Sequence, residues 1–263
     1  MRYISRNFSS GCHPGGGAVV AVTEIVTMHD TYGSIDFRTS YSLHKGGRGK
    51  SMTKPLKFDL FEKASPSGQD LVSLWHERAK DAGDGQRHDS FDGFMRLWCG
   101  FNNWAMRVTE ADTDADMIRA LAESSALNKA FARLFEENNE FRTYATIFAK
   151  FWPIFNVKDL RKKKLRYLFQ QLDRATYVKK LLAAHVQHAP RGKFDGDKPT
   201  WDATIRAIYQ ARCNLAHGEK GDSSDDYRII EGAYRTLLCF IDGVALYRWR
   251  NAESAQSWPA VGK

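Results

Sequence analysis

The chain has 263 residues, 43% of them hydrophobic and 13% aromatic, enough apolar material for a sizeable core. Lysine and arginine outnumber aspartate and glutamate by 39 to 31; the resulting formal net charge of +8 favours an anionic partner, nucleic acid first, and says nothing about fold. No apolar run approaches the ~20 residues of a membrane span, no secretory signal is read, and Cys12, Cys99, Cys213 and Cys239 show neither C-x-x-C pairing nor zinc-ligand spacing. Cys99 and Cys239 lie in apolar helical runs and read as buried free thiols of a reducing cytosol, which makes a cytoplasmic protein without a metal or cofactor the expectation.

Residues 1–52 carry glycines at 15, 16 and 17, the HKGGRGK run from His44 to Lys50, and scattered serines. They show no sustained periodicity and read as a poorly structured N-terminal extension, with one short strand conceivable over Ala18 to Thr27. Residues 53–251 behave differently and read as one α-helical domain, followed by a tail over 252–263. Lys54 to Phe61 is a lead-in, and a helix starts at Pro66 through Leu71, Leu74 and Trp75. After a loop over Asp81 to Asp89, one helical face carries Phe91, Phe94, Met95, Trp98, Asn102 and Ala105, widened by Phe101 and Trp104, so this helix should be buried on most sides. Asn102 within that stripe needs partners, either in the core or at a site.

Thr109 to Asp116 is acidic and marks a helix start, with Asp114 as the cap. Met117, Ile118 and Leu121 open the next helix; Leu127, Phe131, Leu134 and Phe135 continue the pattern after a break near Ser124-Ser125. Glu136 to Glu140 reads as a turn. Phe141, Tyr144, Ile147, Phe148 and Phe151 form a further stripe that ends near Pro153. Leu160 to His188 is expected to hold one or two helices, opened by the basic run Arg161-Lys162-Lys163-Lys164 with Arg166 next. Such a run is either a solvated face or a track for phosphates, which need clustered cations and no particular sequence. Tyr167 and Phe169 lie nearby and belong either beside that track or simply in the core. Ala189 to Thr200 is a loop, and in the last helix Tyr227, Ile230, Tyr234, Leu237, Ile241 and Val244 recur at steps of three and four. No segment alternates convincingly with period two, so the fold class is all-α, an up-and-down helical bundle.

Between these lies Ile205 to Gly218, IRAIYQARCNLAHG. Ile205, Ile208 and Tyr209 mark one apolar face, and the next position on it is Arg212, whose charge is costly there unless paired. His217 follows five residues later, just before Gly218, where helices commonly end. Five residues separate two side chains by roughly 140° around an ideal helix and about 7.5 Å along it. Either the last turn unwinds and His217 swings round, or a second copy of the motif completes the site, which implies a homodimer with a composite site.

Arg212-Cys213-Asn214-Leu215-Ala216-His217-Gly218 resembles the Arg-x4-6-His motif of the HEPN superfamily, and Phe94 to Asn102 resembles the first core helix of these proteins. The two stretches bracket roughly residues 88 to 250. The resemblance implies a small α-helical domain of the HEPN type. Many members are metal-independent endoribonucleases of prokaryotic defence and toxin–antitoxin systems, so RNA is the implied substrate, and an antitoxin or sensor protein a further partner. Two positions depart from the family pattern. Ala216 stands where a bulky residue is usual, and Glu219 where certain of these toxins carry a tyrosine that a partner nucleotidyltransferase modifies.

Metal-free RNA cleavage proceeds by attack of the ribose 2′-OH on the adjacent phosphorus, and needs a proton acceptor, a proton donor and a cation at the crowded phosphate. Under this reading His217 is general base or acid, Arg212 clamps the phosphate through its guanidinium fork, and Asn214 orients the histidine or a phosphate oxygen. Arg161, Lys162, Lys163, Lys164 and Arg166 bind RNA. The competing reading makes Arg212 a structural ion pair, with Glu231 or Asp242 on the last helix as partner, and His217 a helix cap. The chain would then be a non-catalytic RNA- or nucleotide-binding module, or a protein-interaction module.

Overall fold

A computed structural model describes residues 55–83, 89–192, 194–216 and 224–255. The N-terminal extension, its conceivable strand, Cys12, His217, Gly218 and Glu219 lie outside the described residues. Residues Ser51–Lys263 form one compact unit. The described residues are mostly helical: α1 (Asp59–Glu62), α2 (Pro66–Gly83), α3 (Asp89–Thr109), α4 (Asp114–Glu123), α5 (Ser125–Glu137), α6 (Asn139–Ala149), α7 (Val157–Lys162), α8 (Leu168–Gln171), α9 (Arg174–Ala183), α10 (Trp201–Ala216) and α11 (Ser224–Gly243). Short 3-10 turns follow at Leu246–Arg248 and Ala252–Ala255, the second lying against α5 at the start of what the sequence suggests is a tail. No described helix is long and apolar enough to cross a membrane.

The helix breaks follow from single polar side chains. Ser124 ends α4 and caps α5, its Oγ accepting from the Leu127 N–H at 3.4 Å. Asn138 does the same between α5 and α6, accepting from the Phe141 N–H at 2.9 Å. The expected turn over Glu136 to Glu140 therefore contracts to one residue, because a side-chain acceptor satisfies the orphan amides of the new helix without a loop. At the start of α4 the cap is Thr113 rather than Asp114; Thr113 accepts from the Asp116 N–H, and Asp114 falls in the first turn with its carboxylate directed elsewhere.

Helix α3 is the spine, as its wide apolar face implies: Phe94, Leu97, Trp98, Phe101, Trp104, Ala105 and Val108 are all buried. Helix α2 packs along it, and Gly100 sets the spacing, since a Cβ there would lie 3.2 Å from the Val72 carbonyl oxygen. Helix α11 packs on α3 and α6, and α10 on α4, α5 and α11. Trp201 and Phe240 stack at 4.5 Å between ring centroids, with Phe131 and Phe141 against them, and the Trp201 indole N–H donates to the Leu121 carbonyl at 2.8 Å. Some apolar positions read as core are not. Leu74 and Ile147 are exposed, Cys99 is exposed and Cys239 half-buried, lying off the buried faces of their helices.

Residues 154–189 depart from a simple bundle. Ile154–Phe155 (β1) pairs antiparallel with His188–Ala189 (β2), a ladder too short for period-two patterning to reveal. Between these strands lie α7, α8 and α9, three short helices where one or two were expected. They close over a small core of their own: Phe155, Leu160, Leu168, Leu181 and Val186. Two helix ends build it. After α7, Lys164 adopts φ 58°, its N–H reaches the Arg161 carbonyl, and the Leu165 N–H reaches the Leu160 carbonyl. After α9, His185 adopts φ 50°, with His185 N–H to Leu182 and Val186 N–H to Leu181. Both are left-handed caps of the Schellman kind, and in each the hydrophobic pair that accompanies the cap (Leu160 with Leu165, Leu181 with Val186) feeds the small core. We refer to residues 156–188 as the satellite.

Candidate functional site

The candidate site is the C-terminal end of α10. Thr200 starts this helix by accepting from the Ala203 N–H at 3.3 Å. From Trp201 on, nearly every side chain is buried, including Gln210, Arg212 and Asn214; the helix reaches the surface again at Ala216. His217 follows in sequence.

Arg212 is 8% exposed. Its Nη1 lies 3.4 Å from Asp114 Oδ2, and its guanidinium carbon lies 5.7 Å from the centroid of the Trp98 ring. Trp98 is itself held by Tyr209 and Phe101, at 6.0 and 5.6 Å between centroids. A buried cation is tolerable because a carboxylate and an aromatic face share it. The ion pair therefore forms with Asp114 of α4. Asp242, one of the two candidates on the last helix, is engaged elsewhere, 2.6 Å from His76 Nε2 and 3.3 Å from Lys80 Nζ. Burial alone would raise the Asp242 carboxyl, but the His76 hydrogen bond and the His76 and Lys80 charges outweigh it and hold it below the usual range.

Asn214 lies two residues on, about 200° round the helix, and faces the satellite. Its Nδ2 donates to the Phe155 carbonyl at 2.8 Å, and its Oδ1 accepts from the Val157 N–H at 3.2 Å and from Gln210 Nε2 at 3.0 Å. One side-chain amide thus serves the last residue of β1 and the first residue of α7. The end of α10 is gripped from two sides, by α3 and α4 through Arg212 and by the satellite through Asn214.

The basic run sits at the far end of α7 and in the turn after it. Arg161, Lys162, Lys163, Lys164 and Arg166 are all exposed, and Lys163 Nζ donates to the Ala184 carbonyl at 3.0 Å. Asn102, which the sequence offers to either core or site, is half-buried on α3, one turn beyond Trp98, and its Oδ1 has no hydrogen-bond partner among the described residues. Trp98 and Asp114 are members of the site environment that the sequence signalled only as a core tryptophan and a helix cap. Gln210 carried no signal. Among the described residues no group of three His, Cys, Asp or Glu side chains is arranged to hold a metal ion.

Comparison of the chain with family models, with curated proteins and with solved structures finds no match in any of the three.

Proposed function

We propose that this protein is a metal-independent endoribonuclease of the HEPN type. RNA cleavage would proceed by 2′-OH attack at a site formed by Arg212 and His217, in a toxin or antiviral defence role and through a homodimer. The observation that supports the reading best is the end of α10. An arginine buried to 8% exposure stands one helical turn before the helix surfaces at Ala216, and the segment that follows begins with a histidine. Asn214 ties the same helix end to the most basic part of the chain.

In this mechanism His217 takes the 2′ proton or protonates the leaving 5′ oxygen, and Arg212 stabilises charge on the phosphorane oxygens. Asn214 acts as a positioning residue: it fixes the end of α10, which precedes His217 in sequence. DNA lacks the attacking hydroxyl, so the reaction is selective for RNA and leaves a cyclic phosphate and a 5′-OH.

One specific observation favours a second reading. Arg212 already has Asp114 and Trp98 as neighbours, so it can serve as a structural cation in a binding module that holds RNA without cutting it. Incubation of labelled mixed-sequence RNA with purified protein in excess EDTA separates the two. The nuclease reading expects cyclic-phosphate ends from the wild type, and a loss of about 10²–10³ in rate on removing the cationic stabiliser in Arg212→Ala, with His217→Ala inactive. Equal cutting by wild type and His217→Ala overturns the assignment. Binding without cutting moves the module reading ahead.

A further inference from the structure

Residues 156–188 hold nine lysines and arginines against two aspartates, a net +7 within a chain whose total is +8. The positive character inferred from composition is therefore the property of one 33-residue satellite and not of the whole surface. Both aspartates face main-chain amides of the satellite itself: Asp159 Oδ2 accepts from the Gln187 N–H at 2.8 Å, and Asp173 caps α9 through the Thr176 N–H at 3.0 Å.

The same segment exposes aromatic rings. Among the described residues the large hydrophobic side chains that stand in solvent are Leu74, Ile147, Tyr167 and Phe169. The two aromatic ones, 55% and 50% exposed, are two positions apart and directly follow the basic run. A lone exposed apolar side chain needs no explanation. Two exposed rings inside the segment that carries nearly all the net charge do, because the small core beneath them is already closed by Leu165, Leu168 and Leu172. Phe169 stays half exposed while it meets Tyr177 at 5.8 Å between centroids in a T-shaped contact that braces the ring.

From this juxtaposition we infer that the satellite is a grip for single-stranded RNA, with unpaired bases stacking on Tyr167 and Phe169 and with Arg161, Lys162, Lys164 and Arg166 following the phosphates. The choice of RNA rests on the nuclease reading above; the choice of single strand does not. A ring can stack only on a base that is not already paired in a helix, and every base offers a face, so such a surface is selective for single strands and tolerant of sequence. Cations at the turn after α7 add the phosphate attraction that makes binding weaken with salt. The amide of Asn214 ties the start of α7, the helix whose far end carries the basic run, to the end of α10.

The test measures binding rather than cutting, in the full chain carrying His217→Ala. The probes are a fluorescent unstructured 12-nucleotide RNA and the same RNA annealed to its complement, followed by anisotropy. Tyr167→Ala and Phe169→Ala are each expected to weaken single-strand binding about tenfold and to leave duplex binding unchanged. Tyr167→Phe should bind as the parent does. Lys162→Gln with Lys164→Gln should weaken both probes and flatten the salt dependence. Tyr167 makes no ring contact among the described residues, so Tyr167→Ala keeps the test decisive even if Phe169→Ala perturbs the packing on Tyr177. Unchanged single-strand affinity in Tyr167→Ala overturns the inference, as does an equal loss for single strand and duplex. So does a ring-dependent attachment to phosphatidylserine vesicles with RNA binding unaffected. A wild type that binds single strands in this ring-dependent way but never cuts RNA in EDTA leaves the grip standing and removes the nuclease reading.

Discussion

Asn214 donates from its side-chain amide to the main-chain carbonyl of Phe155, 59 positions earlier, at 2.8 Å in a buried setting. The same amide oxygen receives the Val157 N–H. An asparagine inside the motif thus serves as the bolt between the motif helix and the satellite.

That relationship sets the first expectation. Asn214→Ala leaves the Phe155 carbonyl and the Val157 amide without their partner, at a cost of about 1–3 kcal/mol for buried polar groups left unmade. The loss is local: hydrogen exchange at the Val157 amide accelerates more than exchange in α3. Asn214→Asp does not rescue, because a carboxylate can accept from Val157 but cannot donate to Phe155. Exchange mapped by mass spectrometry reads both outcomes, and protection at Val157 equal to the parent's would remove the bolt.

Arg212 and Asp114 permit a separation of stability from chemistry. Asp114→Ala removes the carboxylate facing a mostly buried guanidinium and is expected to cost about 1–3 kcal/mol. The double variant Asp114→Ala with Arg212→Met should be more stable than Asp114→Ala alone, since an apolar chain over Trp98 replaces a buried guanidinium that has lost its Asp114 carboxylate. Denaturant unfolding measures this. Under the nuclease reading the double variant remains inactive however stable it is.

Lys164 offers a substitution with opposite effects on two measurements. It holds φ 58° at the cap of α7, a conformation glycine adopts without the Cβ penalty. Lys164→Gly relieves a left-handed penalty of roughly 1–2 kcal/mol and should raise stability. It also removes one cation from the run, so the slope of log affinity against log salt for single-stranded RNA should shrink by about 0.7. A thermal melt and a salt titration decide the two halves independently.

Thiol chemistry tests burial directly. Burial pushes the Cys239 thiol up to about 12, with Glu140 and Asp242 adding to the shift, and burial raises the Cys213 and Cys99 thiols as well, the Arg212 charge opposing it at both. All three thiols are raised, so exposure to the reagent and not acidity decides the order of labelling. Of Cys99, Cys213 and Cys239, iodoacetamide on the folded protein should modify exposed Cys99 first, as peptide mapping would show. Prior labelling of Cys239 would contradict the packing of α11.

The helices were legible because their apolar residues repeat with the helical period: the broad face of α3 from Phe91 to Ala105 and the stripe of α11 from Tyr227 to Val244 are both seen in the structure. Pro66 and Ser124 are read correctly for the same reason, since they act on their immediate neighbours. The sequence leaves Tyr167 and Phe169 open between the core and the basic track, and the structure exposes both. An aromatic residue looks alike to the sequence whether a neighbouring element covers it or not, and the small core beneath them was already filled by leucines. Asp114 was misread as a cap because Thr113, one residue earlier, offers the same kind of acceptor, and only the position of α10 shows where the spare carboxylate goes.

The sequence by itself determined the helical class, the principal helices with breaks such as Pro66 and Ser124, and the presence of an arginine and a histidine five residues apart within a basic chain. Those are properties of residues near one another along the chain, set by period, capping and charge. Only the tertiary structure decided that Arg212 meets Asp114 and Trp98, that Asn214 joins α10 to β1 and α7, and that Tyr167 and Phe169 stand exposed over a small core already closed. Such pairings bring together residues that are dozens of positions apart. They are chosen by which buried polar groups and apolar faces can be satisfied at once, a condition that no local pattern encodes.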